Sequence, residues 1–187
     1  AVTRIKELGL SGTFNTNGVK LTSEMCQTLV NCEFDSINIS IDASTPETLK
    51  KARGFSNLKL LIKNVERLVK TRGEKALPRI GVTFVLMPYN KDEVKPFIEF
   101  WKSRVDVIRF TGYITDGRPD VSVLPGVEMT EIPNRVPCKQ IFNDIVIRAN
   151  GDVTPCVITS EAPDYLSMGN VFNDGGISAA WNGYEFL

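Results

Sequence analysis

The 187-residue sequence contains no histidine. That absence removes Ser-His-Asp triads, Cys-His nucleophiles and HExxH zinc sites from these residues, along with most imidazole acid/base chemistry. Net charge is missing as well, because 22 basic side chains balance 22 acidic ones. No long-range field draws such a chain toward a phosphate polymer, so nucleic acid is not an expected partner. No apolar run approaches the roughly 20 residues that span a bilayer, and no secretory signal is read, so a membrane is not expected either. Cysteine is scarce: Cys26, Cys32, Cys138 and Cys156 are all there is. A chain of this size builds a core without disulfides, which fits a reducing cytoplasm and leaves the thiols as core fillers or metal ligands. The sequence starts at Ala1, without Met, in what reads as a helix-to-strand passage. It is expected to be a fragment of a longer protein.

What is present is a series of alternating patterns. In "DSINISIDAST", residues 35 to 45, Ile37, Ile39 and Ile41 alternate with Asn38, Ser40 and Asp42. Such alternation is a strand with one apolar and one polar face. Residues 9 to 17 read as an earlier strand that ends in a "TNG" turn, with Thr13, Asn15 and Asn17 on one face. "RIGVTFVLM" and "VDVIRFTGY" read as two later strands.

Helices fall between them. "LTSEMCQTLVNC" has Thr22 or Ser23 as its cap, and "STPETLKKARG" has Ser44 or Thr45 with Pro46 in the first turn. Leu58, Leu61, Ile62, Val65, Leu68 and Val69 stripe a longer helix that stops at Gly73. "YNKDEVKPFIEFWKS" is a further helix, and Pro96 predicts a start near Asp92 or a kink. The order β-α-β-α-β-α-β implies an α/β fold with a parallel sheet.

After Tyr113 the character changes. Residues 116–136 lack helical periodicity and read as a linker or long loop. "NDIVIRANGDVTPCVI" is expected to be a hairpin with "NG" at its tip. "GNVFNDGGISAAWNGYEFL" reads as a strand, a glycine-rich turn and a short helix.

Several groups are candidates for chemistry. Asn38, Ser40 and Asp42 either line an open cavity of a partial barrel or cap and solvate the sheet edge. Arg53 beside Gly54 is either solvated or a fork for a carboxylate. Cys138 and Cys156 flank the hairpin, as two buried thiols or as two ligands of one metal, though zinc or a [4Fe-4S] cluster takes four. Cys26 and Cys32 read as packing. Lys59, Lys63, Arg67 and Lys70 read as the wet face of the long helix, and Asn90 with Glu93 as a capping box.

Taken in order, "TNG" at 16–18, "ISIDA" at 39–43, then "TPE", "RG" at 53–54 and Asn90 resemble the radical S-adenosylmethionine enzymes. Cys138, Gly151, Cys156, "GNV" and Trp181 resemble the start of SPASM, the auxiliary-cluster region of that superfamily. The resemblance implies a partial (β/α) TIM-like barrel over 1–115, a linker over 116–136 and a truncated SPASM-like region over 137–187. It implies that Asn17, Ser40, Asp42 and Arg53 meet S-adenosylmethionine. Ser40 would meet the ribose or methionine part, Arg53 the carboxylate, and Asp42 either the cofactor or the substrate. It implies that Cys138 and Cys156 are cluster ligands. The parent enzyme would cleave S-adenosylmethionine reductively and abstract hydrogen from a substrate, a peptide or protein in first expectation. The defining C-x3-C-x2-C loop is not among these residues, so the chain alone is expected to be inactive. The rival readings are a non-catalytic α/β binding or scaffold domain, and a structural zinc or thiol protein.

Overall fold

A computed structural model describes residues 1–112, 138–157, 159, 166–173 and 175–183, with the backbone of 114–115 and 118–119. Two compact units divide the chain, one formed by 1–114 and 119–128 and the other by 115–118 and 129–187.

The first unit opens with α1 (Val2–Glu7) and β1 (Thr13–Thr16). The strand is shorter than the 9–17 run expected. Gly9 N–H donates to Lys6 O and Leu10 N–H to Ile5 O, so these residues close the end of α1 instead of extending β1. Next come α2 (Ser23–Asn31), capped by the Thr22 hydroxyl, and β2 (Ser36–Ser40). Thr45 caps α3 (Pro46–Arg53), with Pro46 in the first turn where its missing N–H has no helical partner to lose. The Asn57 side chain caps α4 (Leu58–Arg72), which ends at Gly73. β3 (Arg79–Leu86) leads to a 3-10 turn at Lys91–Glu93 and then α5 (Val94–Trp101). Pro96 is the third residue of α5, so the late start predicted from that proline is what the chain adopts. β4 (Val107–Gly112) completes the sheet.

The strands lie in the order β1-β2-β3-β4, all parallel. This is the α/β architecture of a partial β/α barrel. Register sorts the side chains into two faces. Ile37, Ile39, Ile80, Val82 and Phe84 share one face and are all 0% exposed, beneath Leu29, Leu61, Val65, Leu68, Phe97 and Trp101 of the helices. Phe84 and Phe97 meet edge to face, with ring centroids 4.8 Å apart. The opposite face carries Asn15, Asn38 and Ser40, then Thr83, Arg109 and Thr111. Asn15, Arg109 and Thr111 on it are exposed.

One expectation about the helices needs correction. Arg67 is not on the wet face. Its guanidinium donates to Leu21 O at 2.6 Å and to Asn64 Oδ1 at 2.7 Å, while Lys59, Lys63 and Lys70 are exposed. Asn64, buried on the apolar stripe of α4, donates to Gly18 O and Val19 O and so pins the "TNG" turn. Cys26 lies in the core, and Cys32 packs against it.

β5 (Ile114–Thr115) and β6 (Arg118–Pro119) pair as a short ribbon. The rest of the 116–136 linker lies outside the described residues. In the second unit, a one-turn α6 (Gln140–Asn143) precedes the expected hairpin, β7 (Val146–Ile147) and β8 (Val153–Thr154), which pair antiparallel. Gly151 in its turn has φ +90, and a Cβ there would sit 2.4 Å from the Phe172 ring. "GNV" forms a single bridge, Asn170 to Asp152, where a strand was expected. The Asn170 carboxamide turns to Asn150 O and the Asp152 carboxylate, and its oxygen accepts from Phe172 N–H, which folds the chain into a turn. α7 (Gly176–Asn182) follows, and Ala180 packs with Val153 and Met168. Among the described residues, no helix is long and apolar enough to cross a membrane.

Candidate functional site

The C-terminal ends of β2 and β3 are bound together just beyond Ser40. The N–H groups of Ile41 and Asp42 both donate to Thr83 O, at 3.1 and 3.4 Å. Asp42 then turns into the left-handed region, with φ +63. An aspartate tolerates that conformation better than most residues. The turn aims its carboxylate back along the strand ends. Val85 N–H donates to Asp42 Oδ1 at 2.7 Å, and Oδ2 forms an ion pair with the Arg53 guanidinium. Arg53 is the last residue of α3, where a cation also complements the helix dipole.

Asp42 is 1% exposed, while the Arg53 side chain is 35% exposed. Burial pushes the Asp42 carboxyl above its ordinary value, against the Val85 N–H and the Arg53 guanidinium, which pull it down. A cavity of about 420 Å³ adjoins the pair, lined by Asp42, Ala52, Arg53, Val85, Met87, Thr111 and Gly112. That volume lies in the range of small-molecule sites. Its position, outside the carboxyl ends of parallel strands, is where such folds bind ligands.

Of the four residues expected to meet a cofactor, Asp42 and Arg53 are in contact and line the cavity. Ser40 is half-buried on the polar face, two residues earlier, level with Thr83 and Arg109 across the sheet. Asn17 is exposed just past β1, and its side-chain oxygen accepts from Val19 N–H at 3.1 Å. Neither lines the cavity. Arg109 escaped the sequence reading. Its signal is the phase of "VIRFTG", in which Arg109 and Thr111 fall on the face opposite Ile108 and Phe110.

The capping box expected at Asn90 and Glu93 does not form, since no side chain caps the 3-10 turn. Asn90, 0% exposed, instead donates to Asp42 O at 3.1 Å and Val85 O at 2.9 Å, and accepts from Met87 N–H at 2.8 Å. Glu93 reaches the start of α3. Its carboxylate accepts from Ser44 N–H at 2.5 Å, the Thr45 hydroxyl at 2.8 Å and the Thr48 hydroxyl at 2.6 Å. Burial pushes the Glu93 carboxyl up, but the Thr48 hydroxyl, the Ser44 N–H and the Thr45 hydroxyl outweigh it and hold the group below its usual range.

In the second unit, Cys138 is exposed and precedes α6, while Cys156 is half-buried two residues after β8. Cys156 Sγ lies 3.7 Å from the Thr159 hydroxyl. Among the described residues, no three cysteine, histidine or carboxylate side chains are grouped to hold a metal ion. Two thiols fall short of the four that a cluster takes.

A parallel sheet with helices on its apolar face and a polar opposite face defines an α/β protein of the partial β/α-barrel class, with an ion pair and a cavity at its strand ends. The comparison with known families is specific. Residues 2–100 match the family model of the Radical SAM superfamily, and residues 138–187 match that of the SPASM iron-sulfur cluster-binding domain. The chain belongs to the radical SAM superfamily and carries a SPASM region. No curated protein matches it. Membership implies a radical SAM-type function, with S-adenosylmethionine and iron-sulfur clusters in the full-length proteins.

Proposed function

We propose that this chain supplies the cofactor-gripping strand ends of a radical S-adenosylmethionine/SPASM enzyme that abstracts hydrogen from a peptide or protein substrate in the cytoplasm. The observation that carries the reading is the Asp42–Arg53 pair at the mouth of the cavity. Arg53 is held by Asp42 on one side and remains partly exposed on the other. A planar guanidinium so fixed suits a second carboxylate, that of the methionine part. The residues fit that amino-acid end of the cofactor. They do not fit a complete cluster, because the four cysteines of the sequence contain no C-x3-C-x2-C.

Ser40 has the chemistry for a ribose diol or the methionine part, since a hydroxyl both donates and accepts. Asn17 stands at the end of β1 for the same ligand, and Asp42 orients Arg53. Residues 1–115 form the partial barrel, 116–136 the linker, and 137–187 a SPASM-like region in which Cys138 and Cys156 supply two thiolates. On this reading the 187 residues supply part of the cofactor's site, and binding and cleavage of S-adenosylmethionine belong to the full-length enzyme.

Calorimetry of the full-length protein with S-adenosylmethionine tests the reading. Ser40→Ala should weaken binding about tenfold, a loss near that of one hydrogen bond, and Arg53→Gln should weaken it further. Wild-type affinity in both variants would remove these residues from the site.

A further inference from the structure

The two side chains expected to cap their own helix are turned to a different task. Asn90 is fully buried, and its amide nitrogen holds two carbonyls, that of Asp42 and that of Val85. Val85 is also the residue whose N–H donates to the Asp42 carboxylate. Both ends of the residue that positions Arg53 are therefore set from the turn after β3. Glu93, three residues on, grips the loop just past Asp42. Its carboxylate collects three donors there, and its carbonyl accepts from the Ser44 hydroxyl at 3.1 Å. These contacts fix the first turn of α3, the helix that ends in Arg53.

We propose that Asn90 and Glu93 are positioning residues, a clamp from the β3–α5 turn that holds the Asp42–Arg53 pair in the geometry that receives the carboxylate of S-adenosylmethionine. The inference rests on the reading of the pocket given above. Its physical basis is the strand end itself. Asp42 holds a left-handed conformation at 1% exposure, and such a backbone persists only where its surroundings over-determine it. Asn90 is the neighbour able to do so, because a carboxamide donates to two carbonyls while accepting one N–H.

Chemistry separates the variants. Asn90→Asp keeps the shape but sets a carboxylate oxygen against the two carbonyls. Glu93→Ala removes the carboxylate that accepts from Ser44 N–H and from the Thr45 and Thr48 hydroxyls, and leaves the Thr45 cap in place. Glu93→Gln keeps length and one acceptor, and the threonine hydroxyls can turn to accept from its nitrogen, so it serves as the rescue. Leu68→Ala, a core truncation in α4 remote from the clamp, is the control for general loss of stability.

The measurements are S-adenosylmethionine affinity by calorimetry, melting temperature, and hydrogen exchange at the Val85 amide. Asn90→Asp and Glu93→Ala should weaken binding at least tenfold and cut Val85 protection by a similar factor. Glu93→Gln should stay near wild type, and Leu68→Ala should lower the melting temperature without changing affinity. Folded clamp variants that bind as wild type does would overturn the proposal. So would an equal loss of affinity in Leu68→Ala at matched melting temperature. These measurements use the full-length protein, and if its wild type takes up no S-adenosylmethionine, the pocket reading fails. Selective loss of Val85 protection in both variants then still supports the clamp, and unchanged protection overturns it.

Discussion

Asn38 is 6% exposed in the middle of β2, yet no described residue hydrogen-bonds its carboxamide. Its room comes from the next strand. Gly81 lies opposite in register, and a Cβ there would come within 2.5 Å of Asn38 Oδ1. The missing side chain of Gly81 is therefore what lets a polar group lie flat on the sheet. Gly81→Ala should displace Asn38 and cost about 1–3 kcal/mol, the usual range for overpacking. Urea denaturation checks this. Because the clash is with one flexible side chain, the double variant with Asn38→Ala should lose less than the two single losses summed. Strict additivity would show that the glycine serves the backbone and not its neighbour. Arg53 is the same lesson in charge: its ion pair was invisible until Asp42 turned left-handed beneath it.

At the scale of elements, the helix signals were legible because they are local. Thr22, Thr45 and Asn57 each hydrogen-bond a backbone N–H within three residues. The β7–β8 hairpin was legible too, because "NG" sets its turn. What could not be read was a side chain that leaves its own element. Asn90 and Glu93 have the spacing of a capping box but find partners more than 40 residues away: Asn90 donates to Asp42 O, and Glu93 accepts from Ser44, Thr45 and Thr48. The hairpin also carries a test of the thiols beside it. If Cys138 and Cys156 are cluster ligands, Cys138→Ser and Cys156→Ser in the complete protein should each lower bound iron after anaerobic reconstitution with iron and sulfide. Equal iron in wild type and both variants would return the two residues to ordinary thiols.

At the scale of the whole molecule, acid is the informative perturbation. Asp35, Glu93 and Asp152 are all held below their ordinary values: Asp35 by the Lys6 ammonium and Gly12 N–H, Asp152 by Asn170 and Asn150, and Glu93 by its hydroxyl and backbone donors. A carboxylate whose value is lowered by folding contributes stability above its unfolded value and loses it as pH falls through the folded one. Asp42 has the opposite sign. Its raised value favours the protonated form in the fold, so its contribution is lost as pH rises through that value. The urea midpoint should therefore change little from pH 7 to about 5 and fall below about 4, where ordinary carboxyls protonate. Glu93→Gln should flatten part of that fall. A midpoint that climbs steadily to about pH 3 would contradict the balance of three lowered groups against one raised.

The β-α-β-α-β-α-β order of the first unit and the two faces of β2 were legible in the sequence alone, since alternation and capping act between near neighbours along the chain. Ile37 and Ile39 had to go inward and Asn38 and Ser40 the other way, while the left-handed turn at Asp42, beyond the strand, lay outside that pattern. The tertiary structure decided which polar groups meet. Parallel pairing set β2 beside β3 and brought Val85 N–H and the Asn90 carboxamide to Asp42. It carried Arg53 back on α3 and left Ser40 and Asn17 outside the cavity. Contacts between residues 11 to 48 positions apart depend on register and helix docking, which no local pattern specifies.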